Sequence, residues 1–474
     1  MGSLQGLLDL GKRSLQVQQT GIEVAGHNLS NVNNPSYSRQ RLSVRSSEAL
    51  QSAGLVVGTG VEASRVEQLR SEFIDKQIQG EGSVGGYLEA RQSALQFLQT
   101  GLGEVIDTQS GSSGTVTNAS AAQAGIANAV SSLFGKLQTL SRTPSDQAAR
   151  GAVTTSAQDL AAKFRGVSGK LDDLASSLAD GVSSGVGQAN QLLGEIASIN
   201  KAIAAVEMGS GAVANDLRDT RQGKLEELGK LLKVETSTDS DGNMAISAGG
   251  VILVDGGEVS DTLKAATAVD GSLSMQSLNG GVAVPMGSGS IQGMIDARDT
   301  DLKALRDGLD QLASTMMSSF NAAHAGGVGL DGSTGRAFFT GTSAADIAVN
   351  ASLVGHPERV QLSSASGASA DNSVVLAMAN LADAKQTSLG GLTFAQSYSR
   401  TVTDLGERLA STNARLEDHQ TVQGLLTRQR ESVSGVSLDE EMTDMIKYQK
   451  AYQASARIIS MVDQMLDEVI NMKR

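Results

Sequence analysis

The stretch that decides the fold is SLDEEMTDMIKYQKAYQASARIISMVDQMLDEVI, which spans Ser437–Ile470. Its apolar side chains recur at intervals of seven residues, with two companions four residues further on: Leu438, Met445, Tyr452, Ile459 and Leu466, then Met442 and Ile470. This repeat is typical of a coiled-coil seam. Ser437 followed by Glu440 resembles a capping box, and acidic residues here favour the start of a helix. The stretch therefore predicts an amphipathic helix that needs a partner helix.

The N-terminus carries a matching repeat. Its seam and companion positions are Leu4, Leu8, Leu15, Ile22, Leu29 and Val32. Gly11 and Gln18 occupy companion positions where a strong zipper has Leu, so this seam is predicted to be weak. We predict that the two terminal helices pair with each other as a coiled coil, and that their seam residues also form contacts between subunits.

A joint follows the N-terminal helix, in AGHNLSNVNNPSYSRQ (Ala25–Gln40). Asn33 and Asn34 tolerate the left-handed backbone that ends a helix, and Pro35 blocks its continuation. Arg39 then begins a strand. These residue types are explained by helix termination and packing, so the stretch is predicted to be a joint rather than an active-site loop.

Between the two ends the apolar periodicity changes several times. Alternating segments at 38–46 and 55–66 predict a short hairpin, and short apolar runs bounded by Gly, Asp and Asn predict antiparallel β structure at 233–292. Helical periodicity marks 88–105, 153–206, 302–316 and 402–416. The segment 153–206 predicts one long helix, or two that are nearly collinear, because Gly185 interrupts its phase.

The fold class is therefore predicted to be mainly α with β insertions. We expect a terminal coiled-coil domain from 1–36 with 434–474, and a long-helix bundle from 37–232 with 293–433. A small, outward-facing antiparallel β domain is expected at 233–292. This nesting implies that the middle of the chain is inserted between two ends that meet.

Composition excludes several classes of protein. The chain has 474 residues, a formal net charge of -13 and no Cys, so disulfides and cysteine chemistry are absent and a nucleic-acid partner is disfavoured. No apolar stretch approaches the roughly 20 residues of a membrane span, and no secretory signal peptide is predicted. Aromatic residues make up 3% of the chain, whereas ligand pockets usually rely on them.

No pattern of catalytic, cofactor-binding or metal-ligating residues stands out. The histidines are His27, His324, His356 and His419, and none has a second ligand at metal-binding spacing. The segment starting at Asp239 begins like a calcium loop but has Met and Gly where such loops need Gly and Glu, so a hairpin turn at Asp241-Gly242 is favoured. Gly-rich stretches at 58–60 and 324–332 lack the Lys-Ser/Thr of a phosphate loop.

The joint resembles the N-terminal signature of bacterial flagellar rod, hook and hook-associated proteins. The matching residues are Asn28, Ser30, Asn31, Tyr37, Arg39 and Gln40. His27 stands where the family has its first Asn, and Ser36 where it usually has Gly. The segment 434–472 is similar to the family's C-terminal helix. Internal segments at 215–235, 289–302 and 319–332 are similar to members at the hook-filament junction, and 341–372 is short where larger relatives carry an outer domain.

The resemblance implies a structural protein of the bacterial flagellum, neither an enzyme nor a cofactor binder. It implies self-association in a ring or helical layer, contact with the hook protein and with a second hook-associated junction protein, and an export chaperone at the C-terminal region. It also implies secretion through the flagellar type III apparatus to the hook-filament junction. Another axial protein, of hook or rod, is the nearest alternative, and an enzyme on a helical scaffold is a more distant one.

Overall fold

The computed structural model of the chain describes residues 2–34, 36–47, 50–52, 55–102, 125–210, 212–239 and 243–472. The α-helices are α1 (Gly2–Ser30), α2 (Glu72–Leu102), α3 (Ile126–Leu140), α4 (Gln147–Ser210), α5 (Asn215–Leu231), α6 (Ser290–Asp296), α7 (Lys303–Ala325), α8 (Ser373–Asn380), α9 (Phe394–Ser434) and α10 (Leu438–Asn471). The strands are β1 (Gln40–Ser46), β2 (Leu50–Ser52), β3 (Leu55–Val57), β4 (Val61–Gln68), β5 (Glu235–Thr238), β6 (Met244–Ala248), β7 (Val251–Asp255), β8 (Glu258–Val259), β9 (Leu263–Thr267), β10 (Leu273–Ser277), β11 (Phe339–Thr340) and β12 (Ala348–Val349). The prediction of a mainly α fold with β insertions is confirmed.

The long central helix α4 is continuous, so the sequence alternative of two collinear helices is wrong. Its internal glycines let α6 approach closely. A Cβ at Gly181 would lie 2.8 Å from the sulfur of Met294, and one at Gly185 would lie 3.0 Å from Cγ1 of Ile291. Gly185 thus marks a packing contact rather than a break.

Two apolar cores lie along α4. The first half of α4 packs with the C-terminal half of α2, α3, α7, α8 and the first half of α9. The second half packs with α5, α6 and the β insertion, where β5-β6-β7-β8 form one antiparallel sheet and β9-β10 a separate hairpin. The predicted small β module is therefore present, and it packs on the second half of α4. The turn predicted at Asp241-Gly242 lies outside the described residues.

A π-helical segment, Ala297–Leu302, joins α6 to α7, so helix begins earlier than the sequence periodicity indicated. Within it, the fully buried carboxylate of Asp301 accepts hydrogen bonds from Arg91 Nε at 2.7 Å and Arg408 Nη1 at 2.7 Å. The two guanidinium groups compensate the buried negative charge. This ion-pair cluster ties α2, α7 and α9 together.

The predicted first hairpin is present, and the segment predicted as its second strand, 55–66, is divided between β3 and β4. β1 pairs with β4 from Gln40 opposite Gln68 to Ser46 opposite Val61, and β2 pairs with β3 nearer the tip. The hairpin packs along α1, where Leu10 lies against Gly60 and Arg13 donates to Ser47. One flank of the N-terminal helix is thereby covered.

Buried His324 holds the segment after α7 in place. Its Nδ1 lies 2.8 Å from the carbonyl oxygen of Arg336, and its Nε2 accepts a hydrogen bond of 2.9 Å from the backbone N–H of Gln361. Accepting at Nε2 requires a neutral ring with its proton on Nδ1. Burial lowers the pKa of His324 to about 4.

We expect acid to destabilise the protein through His324. The unfolded ring titrates near its ordinary value of about 6.5, so protons bind preferentially to the unfolded chain between there and pH 4. The stabilisation that comes from keeping His324 neutral is complete above about pH 6.5. About 2 kcal/mol of the free energy of unfolding is lost between pH 7 and pH 5. Denaturant unfolding should show a shallower pH dependence in His324→Gln, whose amide oxygen still accepts from Gln361, while exposed His356→Gln should match the wild type.

Candidate functional site

The two terminal helices, α1 and α10, pack against each other in antiparallel orientation. The residue pairs in contact are Gly11 with Ile459, Ser14 with Ser455, Gly21 with Tyr448 and Asn28 with Glu441. Successive contacts are three, seven and seven residues apart on α1 and four, seven and seven residues apart on α10, as in a coiled-coil seam. The predicted pairing of the two ends is therefore present in the structure.

Close approach of the helices depends on glycine in α1. A Cβ at Gly11 would lie 2.7 Å from Cγ1 of Ile459, and one at Gly21 would lie 2.7 Å from the ring of Tyr448. Real Cβ atoms do not reach such distances, so a larger residue would push the helices apart. The interpretation of Gly11 as a weak seam position is wrong, because Gly11 receives the side chain of Ile459.

Apart from Gly11, a predicted companion position, the line of contact on α1 lies beside the predicted seam rather than on it. At 100° per residue, Leu8, Leu15 and Ile22 lie roughly 80–140° around the helix from Ser14 and Gly21. The predicted interface residues that are half-buried are Leu8, Leu15, Ile22, Leu29, Val32, Met445, Ile459 and Leu466, and those that are exposed are Leu438, Met442 and Tyr452. The side chains of Leu4 and Ile470 lie outside the described residues. The predicted role of all these residues in subunit contacts remains a prediction.

Helix α10 also exposes two further runs of apolar side chains. The first run is Leu438, Met442 and Ile446, and the second is Ile458, Met461, Met465, Val469 and Met472. By helical geometry the runs lie about 100° to either side of the line that contacts α1. α10 therefore presents apolar surface on both flanks after α1 has covered its seam.

Asn28 forms the centre of the joint between α1 and the rest of the chain. Its Nδ2 donates to the carbonyl of Gln40 at 2.8 Å and to Glu441 Oε2 at 3.0 Å. Its Oδ1 accepts from the Tyr37 hydroxyl at 2.7 Å and from the Gln40 N–H at 2.9 Å. All four hydrogen bonds available to a side-chain amide are made, so no other residue type satisfies this site.

Glu441 connects the joint to α10. This carboxylate is almost completely buried and also accepts a hydrogen bond of 2.7 Å from Arg39 Nε, while Arg39 Nη1 donates to Glu440 at 2.7 Å. The backbone N–H of Arg39 donates to the carbonyl of Ser434, where α9 ends. The joint therefore links α1, the start of β1, the end of α9 and the start of α10.

Tyr37 and His27 extend this network to the helical bundle. Burial, reinforced by the negative charges of Asp216, Asp219 and Glu441, raises the pKa of Tyr37, so the phenol keeps its proton. Because that proton goes to Asn28, the Tyr37 oxygen accepts from His27 Nδ1 at 2.9 Å. His27 Nε2 lies 3.6 Å from Asp216 at the start of α5.

The structure thus brings together four of the six matching motif residues: Asn28, Tyr37, Arg39 and Gln40. The other two have local roles, since Asn31 Nδ2 donates to the carbonyl of His27 at 3.0 Å and Ser30 Oγ to that of Gly26 at 2.9 Å. The apolar repeat did not predict three further contact residues, Glu441, Ser14 and Gly21. Such a repeat is recognised from apolar side chains, and these residues are small or charged. Pro35, predicted to stop α1, lies outside the described residues.

The described ranges contain no cluster of three or more His, Cys, Asp or Glu side chains arranged to hold a metal ion. None of their helices combines the length and the apolarity needed to cross a bilayer.

Two models of flagellar protein families match parts of this chain. The family model described as the flagellar hook-associated protein FlgK helical domain matches residues 115–339, and the one described as the flagellar basal body rod FlgEFG protein C-terminal matches residues 428–472. Flagellar hook-associated protein 1 of Bacillus subtilis (strain 168) is 29% identical over 98% of this chain and 97% of its own length. That of Salmonella typhimurium is 23% identical over 99% of this chain and its full length.

A solved structure shares the fold. The flagellar hook junction protein FlgK from Burkholderia pseudomallei superposes with a TM-score of 0.63 at 15% identity, covering 76% of this chain and all of that chain. At this identity the match establishes similarity of fold.

We expect Gly21→Ala to weaken the pairing of α1 with α10, because the new methyl group meets the ring of Tyr448. Gly26→Ala is the matched control, since a Cβ there meets nothing within 4 Å. The control should strengthen α1 by about 1 kcal/mol through helix propensity. Hydrogen exchange of the α1 amides should therefore become faster in Gly21→Ala and no faster in Gly26→Ala. Slower exchange in both variants would contradict the close contact.

Proposed function

We propose that this chain, a homologue of flagellar hook-associated protein 1, is a structural protein of the bacterial flagellum that joins the hook to the filament by polymerising through its terminal helices. The observation that carries the proposal is the apolar surface left on both flanks of α10. A helix that is apolar beyond the face covered by its partner is typically covered by further helices.

The two apolar runs of α10 suit a polymer in which each subunit contacts two neighbours. A surface that binds a different surface on the next copy produces a ring or a helical layer. Full burial of one Leu, Ile or Met side chain contributes about 1.5–3 kcal/mol, so several such residues per helix supply substantial stabilisation. The half-buried stripe of Leu8, Leu15 and Ile22 on α1 adds apolar surface to the same contact.

The joint gives this polymer a defined geometry. Glu441 and Asn28 are both buried and fully hydrogen-bonded, so the start of α10 is fixed relative to the end of α1 and to β1. We infer that the terminal helices form the inner wall of a hollow tube and that the β module of 233–292 lies outside it. The domain boundaries expected from the sequence are retained in this proposal.

Finer details of the proposal extend the resemblance of the two ends to flagellar axial proteins. We infer secretion, contact with the hook protein and a second hook-associated junction protein, and a chaperone at the C-terminal region before assembly. We also infer that the chain is not an enzyme. Support comes from the names of the relatives and from the structural hydrogen bonds of His324 and His419, the latter to Glu81 at 2.9 Å.

Another axial protein of the hook or rod is the second candidate, favoured by the match of residues 428–472 to a rod-protein model. Electron microscopy of cells lacking the gene separates the two candidates. Intact hooks without filaments indicate the junction role, and missing hooks indicate a hook or rod component. Normal flagella would contradict both.

Substitutions in α10 should separate pairing within the chain from contacts between subunits. Ile459→Asp buries an unpaired charge against Gly11. It should therefore both release α1 from α10 and stop assembly. Met461→Asp changes a flank residue that is 54% exposed, so α1 should stay paired while filaments are lost. Hydrogen exchange of α1 in the purified chain and filament counts on cells measure the two effects.

Gln464→Asp is the matched control, because Gln464 is exposed on the side of α10 away from α1. We expect this variant to keep both α1 protection and filaments. Normal filament counts with Met461→Asp would contradict the role of the α10 flanks.

A further inference from the structure

An exposed apolar patch lies on the helical bundle next to the joint, separate from the terminal helices. We name the base patch by its residues: Phe73 and Val84 on α2, and Val422, Leu425 and Val433 on α9. Phe73 is 69% exposed and Leu425 is 54% exposed. Large apolar side chains this open, grouped on neighbouring helices, are typical of an interaction surface.

The register of α2 and α9 places these residues side by side. The helices are antiparallel, with Glu81 bonded to His419 and Gln92 bonded to Asn413. The same register puts Phe73 near the end of α9 and Val84 near Val422. On α2, Gly80 lies on the same face as Phe73 and Val84, and a Cβ there would meet nothing within 4 Å, so the surface between them is open.

A cleft of about 710 Å³ lies on another side of the same region. It is formed by α1, β4 and the connection between α4 and α5, and its apolar walls include Val24, Val66, Val213 and Leu217. None of the base-patch residues lines it. Lys230 of α5 approaches Gly82 and Gly86, which lie roughly 140–180° around α2 from Phe73 and Val84. The base patch and α5, whose start lines the cleft, are therefore on opposite sides of α2.

Patch and cleft lie at the same level of the molecule. The base patch surrounds the start of α2 and the end of α9, and the cleft lies beside the last turns of α1 and the start of α5. Both the base patch and the cleft lie next to the joint. There, Gln68 Nε2 at the end of β4 donates to the carbonyl of Asn215 at 2.8 Å. Copies placed side by side around an axis therefore bring a patch and a cleft together.

We propose that the base patch of one copy docks into this cleft of the next copy, so that the subunits are joined head to tail outside the terminal helices as well. The proposal rests on self-association as the proposed function. Val433 lies close in sequence to Leu438, where the first apolar run of α10 begins, so the patch continues the surface inferred for assembly. Phe73 is the anchor, because a large aromatic side chain entering a pocket contributes most to an interface.

Cysteine cross-linking tests the contact directly, because the chain contains no natural Cys. The double variant Phe73→Cys/Val213→Cys, expressed in cells lacking the gene, should give a ladder of dimers and larger multimers after mild oxidation of isolated flagella. The control Phe97→Cys/Val213→Cys uses another exposed Phe of α2, remote from the joint, and should give monomers, as should each single variant.

The outcomes distinguish this inference from the proposed function. Restored filaments with only monomers after oxidation would overturn the head-to-tail contact while leaving the junction role intact. Dimers from Phe73→Cys alone would indicate patch-to-patch contact and would also overturn it. Failure of the wild-type chain to restore filaments would instead contradict the proposed function.

A charge in the patch provides an independent measurement. Phe73→Asp should lower filament number by about tenfold or more, since a buried unpaired carboxylate disrupts the contact. Phe97→Asp should leave it unchanged, and both variants should unfold like the wild type because both side chains are exposed. Normal filaments with Phe73→Asp would overturn the proposal.

Discussion

The close approach of α1 and α10 is the constraint on which the other features of the terminal region depend. Gly11 and Gly21 remove side chains where Ile459 and Tyr448 need space, so the helices meet with large residues on one side and small ones on the other. Such packing leaves Leu8 and Leu15 of α1 half-buried and much of the apolar surface of α10 exposed. The same contact that joins the chain's ends therefore determines which apolar surfaces remain exposed.

The joint shows how polar chemistry fixes this contact in space. Asn28 makes two donor and two acceptor hydrogen bonds, and Glu441 combines an amide and a guanidinium partner. Burying a carboxylate without such partners costs several kcal/mol. The tyrosine, arginine and glutamine of the motif thus act as a set, since each supplies or positions a hydrogen bond to Asn28 or Glu441.

Much of this architecture follows from sequence patterns, and the exceptions have physical reasons. The heptad repeat predicts both terminal helices, because seven-residue apolar spacing has few other causes. It does not predict the contact line on α1, since Gly11, Ser14 and Gly21 carry almost no hydrophobic signal. Gly185 was ambiguous for the same reason, because a glycine inside a helix marks either a break or a close neighbour, and only the position of Ile291 decides. The partners of Asn28 lie up to 413 residues away in sequence.

Asn28 and Glu441, which are buried and hydrogen-bonded to each other at one end of the antiparallel pair, also disfavour a shifted alignment of α1 and α10. If α10 slid along α1 by one heptad, Tyr448 would lie opposite Asn28 and Glu441 would lose its amide partner. The apolar repeat alone tolerates that slip, because leucine-like positions recur every seven residues. A single charge whose partner occurs once therefore gives the terminal pair one correct alignment, so the paired ends have the same length in every copy of the chain.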